Sequence, residues 1–188
     1  MEFITSVKKT RNGKCNMNIT VVVLHYENIK DTRECLDSLK KYLDDTKNNI
    51  NVVVVDNGSI KEKTAAIEKE YLNDKIHFIE SGENLGFAKG NNIGFHYAKY
   101  ELHSDIIILA NNDLIFQQVD FMDQIEKEMT ENHIDVAGPR IISLVDHVHG
   151  EAVLRLLKPF HSHLPVLPYN RHFPKEIPGA YHQRNLSQ

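Results

Sequence analysis

A chain of 188 residues with 22 basic and 26 acidic side chains and a formal charge of -4 has room for one domain, or one domain with an appendage, around a single core. Charges spread along the chain leave no basic surface for nucleic acid, so any ligand phosphate has to be met locally. No apolar run approaches a membrane span or forms a signal peptide, and Cys15 and Cys35 make no disulfide framework. A cytoplasmic protein is expected, with contact at the inner face of the membrane and homo-oligomerisation left open.

Residues 1–17 are polar, basic and without period, and are expected to form a flexible lead. Residues 19–24 (ITVVVL) are a β-branched run of the kind buried on both faces of a parallel sheet, broken by His25-Tyr26-Glu27-Asn28. Asp31 as N-cap, with Glu34 three positions on, predicts a helix whose inner face is Cys35, Leu36, Leu39, Tyr42 and Leu43. Residues 51–55 (NVVVV) form a second strand closed by Asp56-Asn57-Gly58-Ser59. A helix over 61–72 follows, with Ala65, Ile67, Tyr71 and Leu72 inward.

A third strand is expected at 75–80 and a helix at 88–101, although Gly90 and Gly94 count against the helix. Residues 105–110 (DIIILA) are a fourth strand. Phe121, Met122, Ile125 and Met129 mark a further helix, and 134–142 an extended segment interrupted at Gly138-Pro139. Strands alternating with helices predict an α/β domain with a mainly parallel sheet over residues 18–155. Beyond it, prolines and histidines replace apolar periodicity, and residues 156–188 read as an irregular arm.

In an open parallel sheet, ligands bind where strand carboxyl ends meet helix N-termini. Three strands end in polar clusters there: His25 to Asn28, Asp56 to Ser59, and Asn111-Asn112-Asp113. Asp56 can accept from a ribose hydroxyl or a base N–H, or can form an Asx turn with Ser59 capping the next helix. Residues 83–92 (ENLGFAKGNN) place a cation, Lys89, among amides near a helix start. That suits a diphosphate or a sugar, or an ordinary solvated loop. The spacing is not that of a dinucleotide fingerprint, and no P-loop is present.

Asp113 between amides could hold Mg2+ or Mn2+ once a nucleotide diphosphate supplies further oxygens, or could belong to a simple turn. The pairs His147/His149 and His161/His163 lack the further ligands that zinc requires. His25 reads as a base-stacking or packing residue.

Taken in order, VVVLHYENIKDTRECLDSL, VVVVDNGS, ENLGFAKGNNIG and IIILANND resemble the family 2 glycosyltransferases of GT-A fold, in particular the rhamnosyltransferase-like branch of bacterial surface polysaccharide synthesis. The resemblance covers residues 18–145. It implies a nucleotide-diphospho-sugar donor, carrying UDP or dTDP, and a glycan or lipid-linked glycan acceptor. By resemblance, Tyr26 and Glu27 line the base pocket and Asp56 contacts base or ribose. Asn84, Gly86, Lys89 and Asn92 surround the donor.

Asn111-Asn112-Asp113 stands where the family has its DxD element, with an amide replacing the first carboxylate and Asp113 left as the metal residue. The resemblance further implies inversion, with an acceptor-half carboxylate as base. Residues 151–188 contain only Glu151 and Glu176 as acids and no paired carboxylates, so the base is a distant carboxylate such as Asp146 or Glu151, or one received from a partner chain, and the catalytic residue is unassigned. The chain is therefore expected to be a donor half truncated in its acceptor half. The alternative is a nucleotide-sugar binding module without transferase activity.

Overall fold

The computed structural model describes residues 17–44 and 47–138. The lead, the Pro/His-rich arm, both histidine pairs, Asp146 and Glu151 all lie outside the described residues. The described part divides at Asp120 into two compact units.

The first unit alternates strand and helix: β1 (Asn18–His25), α1 (Ile29–Leu43), β2 (Asn49–Asp56), α2 (Lys61–Tyr71), β3 (Ile76–Glu80), α3 (Gly86–Tyr100) and β4 (Ile106–Asn111). The four strands form one parallel sheet in the order β3-β2-β1-β4. Valines and isoleucines dominate because parallel strands are covered on both faces, and every residue from Ile50 to Asp56 is buried.

Chain order and sheet order together decide which face each helix covers. The connections from β1 to β2 and from β2 to β3 run one way across the sheet, whereas that from β3 to β4 runs back past β1. Right-handed crossovers then place α1 and α2 on one face and α3 on the other. Side-chain alternation agrees. On the α3 face Val22, Val53 and Val55 pack with Ile79, Ile93 and Ala98, and Leu24, Ile107, Leu109 and Tyr97 surround them. The opposite parity carries His25 to Thr32 of α1 and Asp56 to Thr64 of α2.

Gly90 and Gly94 do not weaken α3. A Cβ on Gly94 would lie 2.3 Å from Val22 Cγ1 and 2.8 Å from Val55 Cγ2, and one on Gly90 would lie 2.7 Å from Leu24 Cδ1. Both permit the helix to approach the sheet closely, and that packing outweighs their poor helix propensity.

Two further expectations in this unit are corrected. The N-cap of α1 is Asn28, whose side chain accepts from Asp31 N while its own amide donates to the Asp31 carboxylate. Asp31 is thus the third helical residue of a reciprocal box and not the cap. Ala65 and Leu72 are exposed, and the inner face of α2 is Thr64, Ile67 and Tyr71. Cys35, Leu36, Leu39, Tyr42 and Leu43 are buried as expected.

The second unit contains α4 (Phe121–Glu131), with Met122, Ile125 and Met129 buried at helical spacing. Residues 134–138 form no strand, and residues 139–142 of the extended segment expected there lie outside the described residues. No helix among the described residues is long and apolar enough to cross a membrane.

Candidate functional site

The reversal of strand order places a topological switch point between β1 and β4, where a crevice opens at the carboxyl ends of a parallel sheet. Register brings the polar clusters to this same edge: His25 pairs with Asp56, Leu24 with Asn111, and Asp56 with Glu80.

On the β4 side the chain turns at once. Leu114 N donates to Asn111 O at 3.3 Å, so Asn112 and Asp113 are the central residues of a four-residue turn. Asn112 faces inward, its amide nitrogen donating to Thr32 Oγ1 at 3.0 Å and to Asn28 O at 3.3 Å. Asp113 is exposed. The turn expected here is therefore present, anchored by the Asn112 amide and presenting the Asp113 carboxylate to solvent.

Beyond the turn, Phe116 N donates to Ser38 Oγ at 3.0 Å, and Lys41 and Tyr42 donate to the carbonyls of Phe116 and Gln118. One face of α1 thus ties down residues 112–118.

Tyr26 stands exposed just beyond β1. Glu27 has a positive φ of 59°, and its N–H donates to Ser59 Oγ at 2.8 Å while its carboxylate accepts from Ile60 N at 2.8 Å. This bracket joins the loops after β1 and β2. The N-cap of α2 is Ile60, without a side-chain cap bond, so Ser59 is not the helix cap.

Asp56 is buried, and both its oxygens are engaged. Oδ1 accepts from Ser59 N at 2.9 Å, in the manner of an Asx turn, and Oδ2 accepts from Thr64 Oγ1 at 2.8 Å. Asn57 secures the next loop, donating to Asn84 Oδ1 at 3.2 Å and accepting from Leu85 N at 3.0 Å. Asn84 Oδ1 also accepts from Gly86 N at 2.9 Å.

Gly58, at φ 82°, lies so close to this loop that a Cβ would sit 2.4 Å from Asn84 N and Glu83 C. Gly86, at φ 76°, opens α3, and Lys89 and Asn92 stand exposed in its N-terminal half. The first turn of α3 carries no acid, so the positive end of its dipole is uncompensated by a side chain there.

His25 is fully buried, which overturns base stacking and leaves the packing reading. Burial holds its pKa below the ordinary histidine value, against the opposing pull of the Asp56 and Glu27 carboxylates. Burial pushes the Cys35 thiol up to about 12, with the charge of Asp113 adding to the effect. Among the described residues no group of three or more His, Cys, Asp and Glu gathers to hold a metal ion.

Sequence reasoning placed Asn28 and Asn57 in the polar strand-end clusters without giving either a role, and missed Thr32. The spacing of Asn28 to Asp31 carried a capping-box signal, and Asn57 lay inside a recognised turn. Thr32 meets Asn112 only through the pairing of β1 with β4, which no local pattern reveals.

A model described as glycosyl transferase family 2 matches residues 20–179. The low-salt glycan biosynthesis hexosyltransferase Agl10 of Haloferax volcanii is 25% identical over 166 residues, 87% of this chain and 50% of that protein. The dTDP-rhamnosyl transferase RfbF of Shigella flexneri is 32% identical over 131 residues, 68% of this chain and 40% of that protein. The chain spans half or less of the length of these curated relatives.

Among solved structures, a Pyrobaculum calidifontis mannosyltransferase in complex with GDP-Man and Mn2+ superposes with a TM-score of 0.52 at 21% identity, over 62% of this chain and 33% of that one. Staphylococcus aureus TarS 1-349 gives 0.53 at 23% identity, over 68% and 39%. At these identities the likeness is one of fold.

Proposed function

The chain belongs to glycosyl transferase family 2 and has the GT-A fold, and from that premise we propose that it binds a nucleotide-diphospho-sugar and transfers the sugar to a hydroxyl acceptor. The observation that carries this reading is the turn at the switch point, where Asp113 is exposed beside the loop that follows β1.

In this reading Tyr26 stacks on the base, beside Glu27. Asp56, besides its internal bonds, offers remaining lone pairs to a base N–H or ribose hydroxyl. Lys89 and the start of α3 face the diphosphate, with Asn84, Gly86 and Asn92 around it. One carboxylate flanked by the amides of Asn111 and Asn112 suits Mg2+ or Mn2+, hard ions that take one or two carboxylates together with substrate phosphates and water. When bound, such an ion supplies charge neutralisation for the departing nucleotide diphosphate.

The acceptor oxygen forms its bond to the anomeric carbon as the bond to the diphosphate breaks, with inversion, and its proton passes to a carboxylate base. The name of RfbF supports a dTDP-sugar donor and that of Agl10 supports glycan synthesis; a UDP-sugar donor, a glycan acceptor and surface polysaccharide synthesis enter this proposal from the sequence resemblance. The free, buried thiol of Cys35 suits a reducing cytoplasmic setting.

Incubation with UDP-hexoses or dTDP-rhamnose, Mn2+ and a glycan acceptor tests the proposal through release of nucleotide diphosphate. Release that depends on Asp113 supports transfer. Nucleotide binding without release favours a binding module, and neither binding nor release refutes the reading.

A further inference from the structure

Thr32 Oγ1 has one proton and three polar neighbours. Asn28 O, at 3.0 Å, can only accept, and Asn112 Nδ2, also at 3.0 Å, can only donate. The third neighbour is His25 Nδ1 at 2.7 Å. With the hydroxyl proton given to Asn28 O, His25 Nδ1 has to be the donor. A neutral imidazole then carries a bare lone pair on Nε2. That atom is buried and has no hydrogen-bond partner among the described residues, a smaller cost for a lone pair than for an N–H. The hydroxyl is thereby left with its acceptor side for Asn112.

We propose that His25 and Thr32 are positioning residues for the turn that carries Asp113: the Nδ1–H of His25 orients the Thr32 hydroxyl, which holds Asn112 and presets the turn before nucleotide arrives. The inference rests on the donor-site reading above and adds to it a buried relay from β1 through α1 to the end of β4. Asn112 donates to both Thr32 and Asn28, so the turn takes its inward anchor from this relay. Asp113 itself then needs no partner to stay outward.

The test has two readouts. Long-range 1H–15N NMR on histidine-labelled protein, without nucleotide or metal, reports the His25 tautomer. Nδ1–H is expected in the wild type, and an Nε2–H tautomer would overturn the relay. Calorimetry with UDP and dTDP, with and without Mn2+, then compares wild type, Thr32→Val, Thr32→Ser and Asn112→Ala, with Asp113→Ala as reference.

Thr32→Val is expected to lose about tenfold of the metal-dependent gain in nucleotide affinity, with metal-free affinity unchanged, and Thr32→Ser to restore it; Asn112→Ala is expected to lose the same gain. Asn112→Ala cuts the same contact from the turn side and serves if Thr32→Val does not fold. A full gain in Asn112→Ala, with the gain lost in Asp113→Ala, would overturn this proposal and leave the donor site standing. A wild type without any metal-dependent gain would overturn both.

Discussion

Asp56 ends β2 and Asp113 lies in the turn just beyond β4, on either side of β1 and at the same edge of the sheet, yet their surroundings are opposite. Asp56 is buried with both oxygens hydrogen-bonded, and the loops around it interlock through Asn57, Gly58 and Asn84. Asp113 is exposed, and the bonds that fix its turn belong to its neighbours Asn111 and Asn112. A carboxylate engaged by two protein donors holds a structure together and keeps only its remaining lone pairs for a ligand, whereas one presented by an anchored turn has all of them available. The first region should therefore answer to stability measurements and the second to ligand measurements.

The largest expected effect falls on the interlocked side. Gly58→Ala places a Cβ against backbone at 2.4 Å in a left-handed conformation, and urea unfolding should show a loss of about 3 kcal/mol. Equal stability would mean that the two loops do not interlock. Asp56→Ala should cost about 2 kcal/mol in the same assay, because Ser59 N and Thr64 Oγ1 lose their acceptor.

Acid should act through two histidines, the fully buried His25 and the half-buried His77 of β3. Burial lowers the pKa of His25 and of His77, so below the ordinary value of 6.5 the unfolded chain binds more protons than the folded one. Their contribution to stability is full above that value and is lost as pH falls through the lowered pKa. A thermal midpoint that does not fall on acidification from pH 6.5 would contradict this. The smallest effect on stability is expected at Tyr26, half exposed in the open region: Tyr26→Ala should shift it by less than about 0.5 kcal/mol while weakening nucleotide binding about tenfold by calorimetry.

Period and composition made the frame legible. Runs of valine and isoleucine marked β1, β2 and β4, and the apolar stripe from Cys35 to Leu43 marked the inner face of α1. What escaped were features decided by contacts between distant segments. The fit of Gly90 and Gly94 depends on Val22, Val55 and Leu24, and the burial of His25 depends on α1 lying over it. Cap positions moved by a few residues because Asn28, Asp31 and Ser59 are all competent polar residues, and only the path of the loops decides among them.

The candidate site was legible as three polar strand ends and not as two different regions. The Asx turn from Asp56 to Ser59 was legible, but whether Asp56 turns inward and Asp113 outward depends also on Thr64 and Thr32, neither of which announces that role locally.

The most direct test is a calorimetric titration of wild type and Asp113→Ala with UDP and dTDP, each with and without Mn2+. The account predicts Mn2+-dependent binding of one nucleotide by the wild type, lost in Asp113→Ala with unfolding stability unchanged within about 0.5 kcal/mol. Nucleotide binding that is equally tight with and without Mn2+, or that survives the substitution, would contradict it.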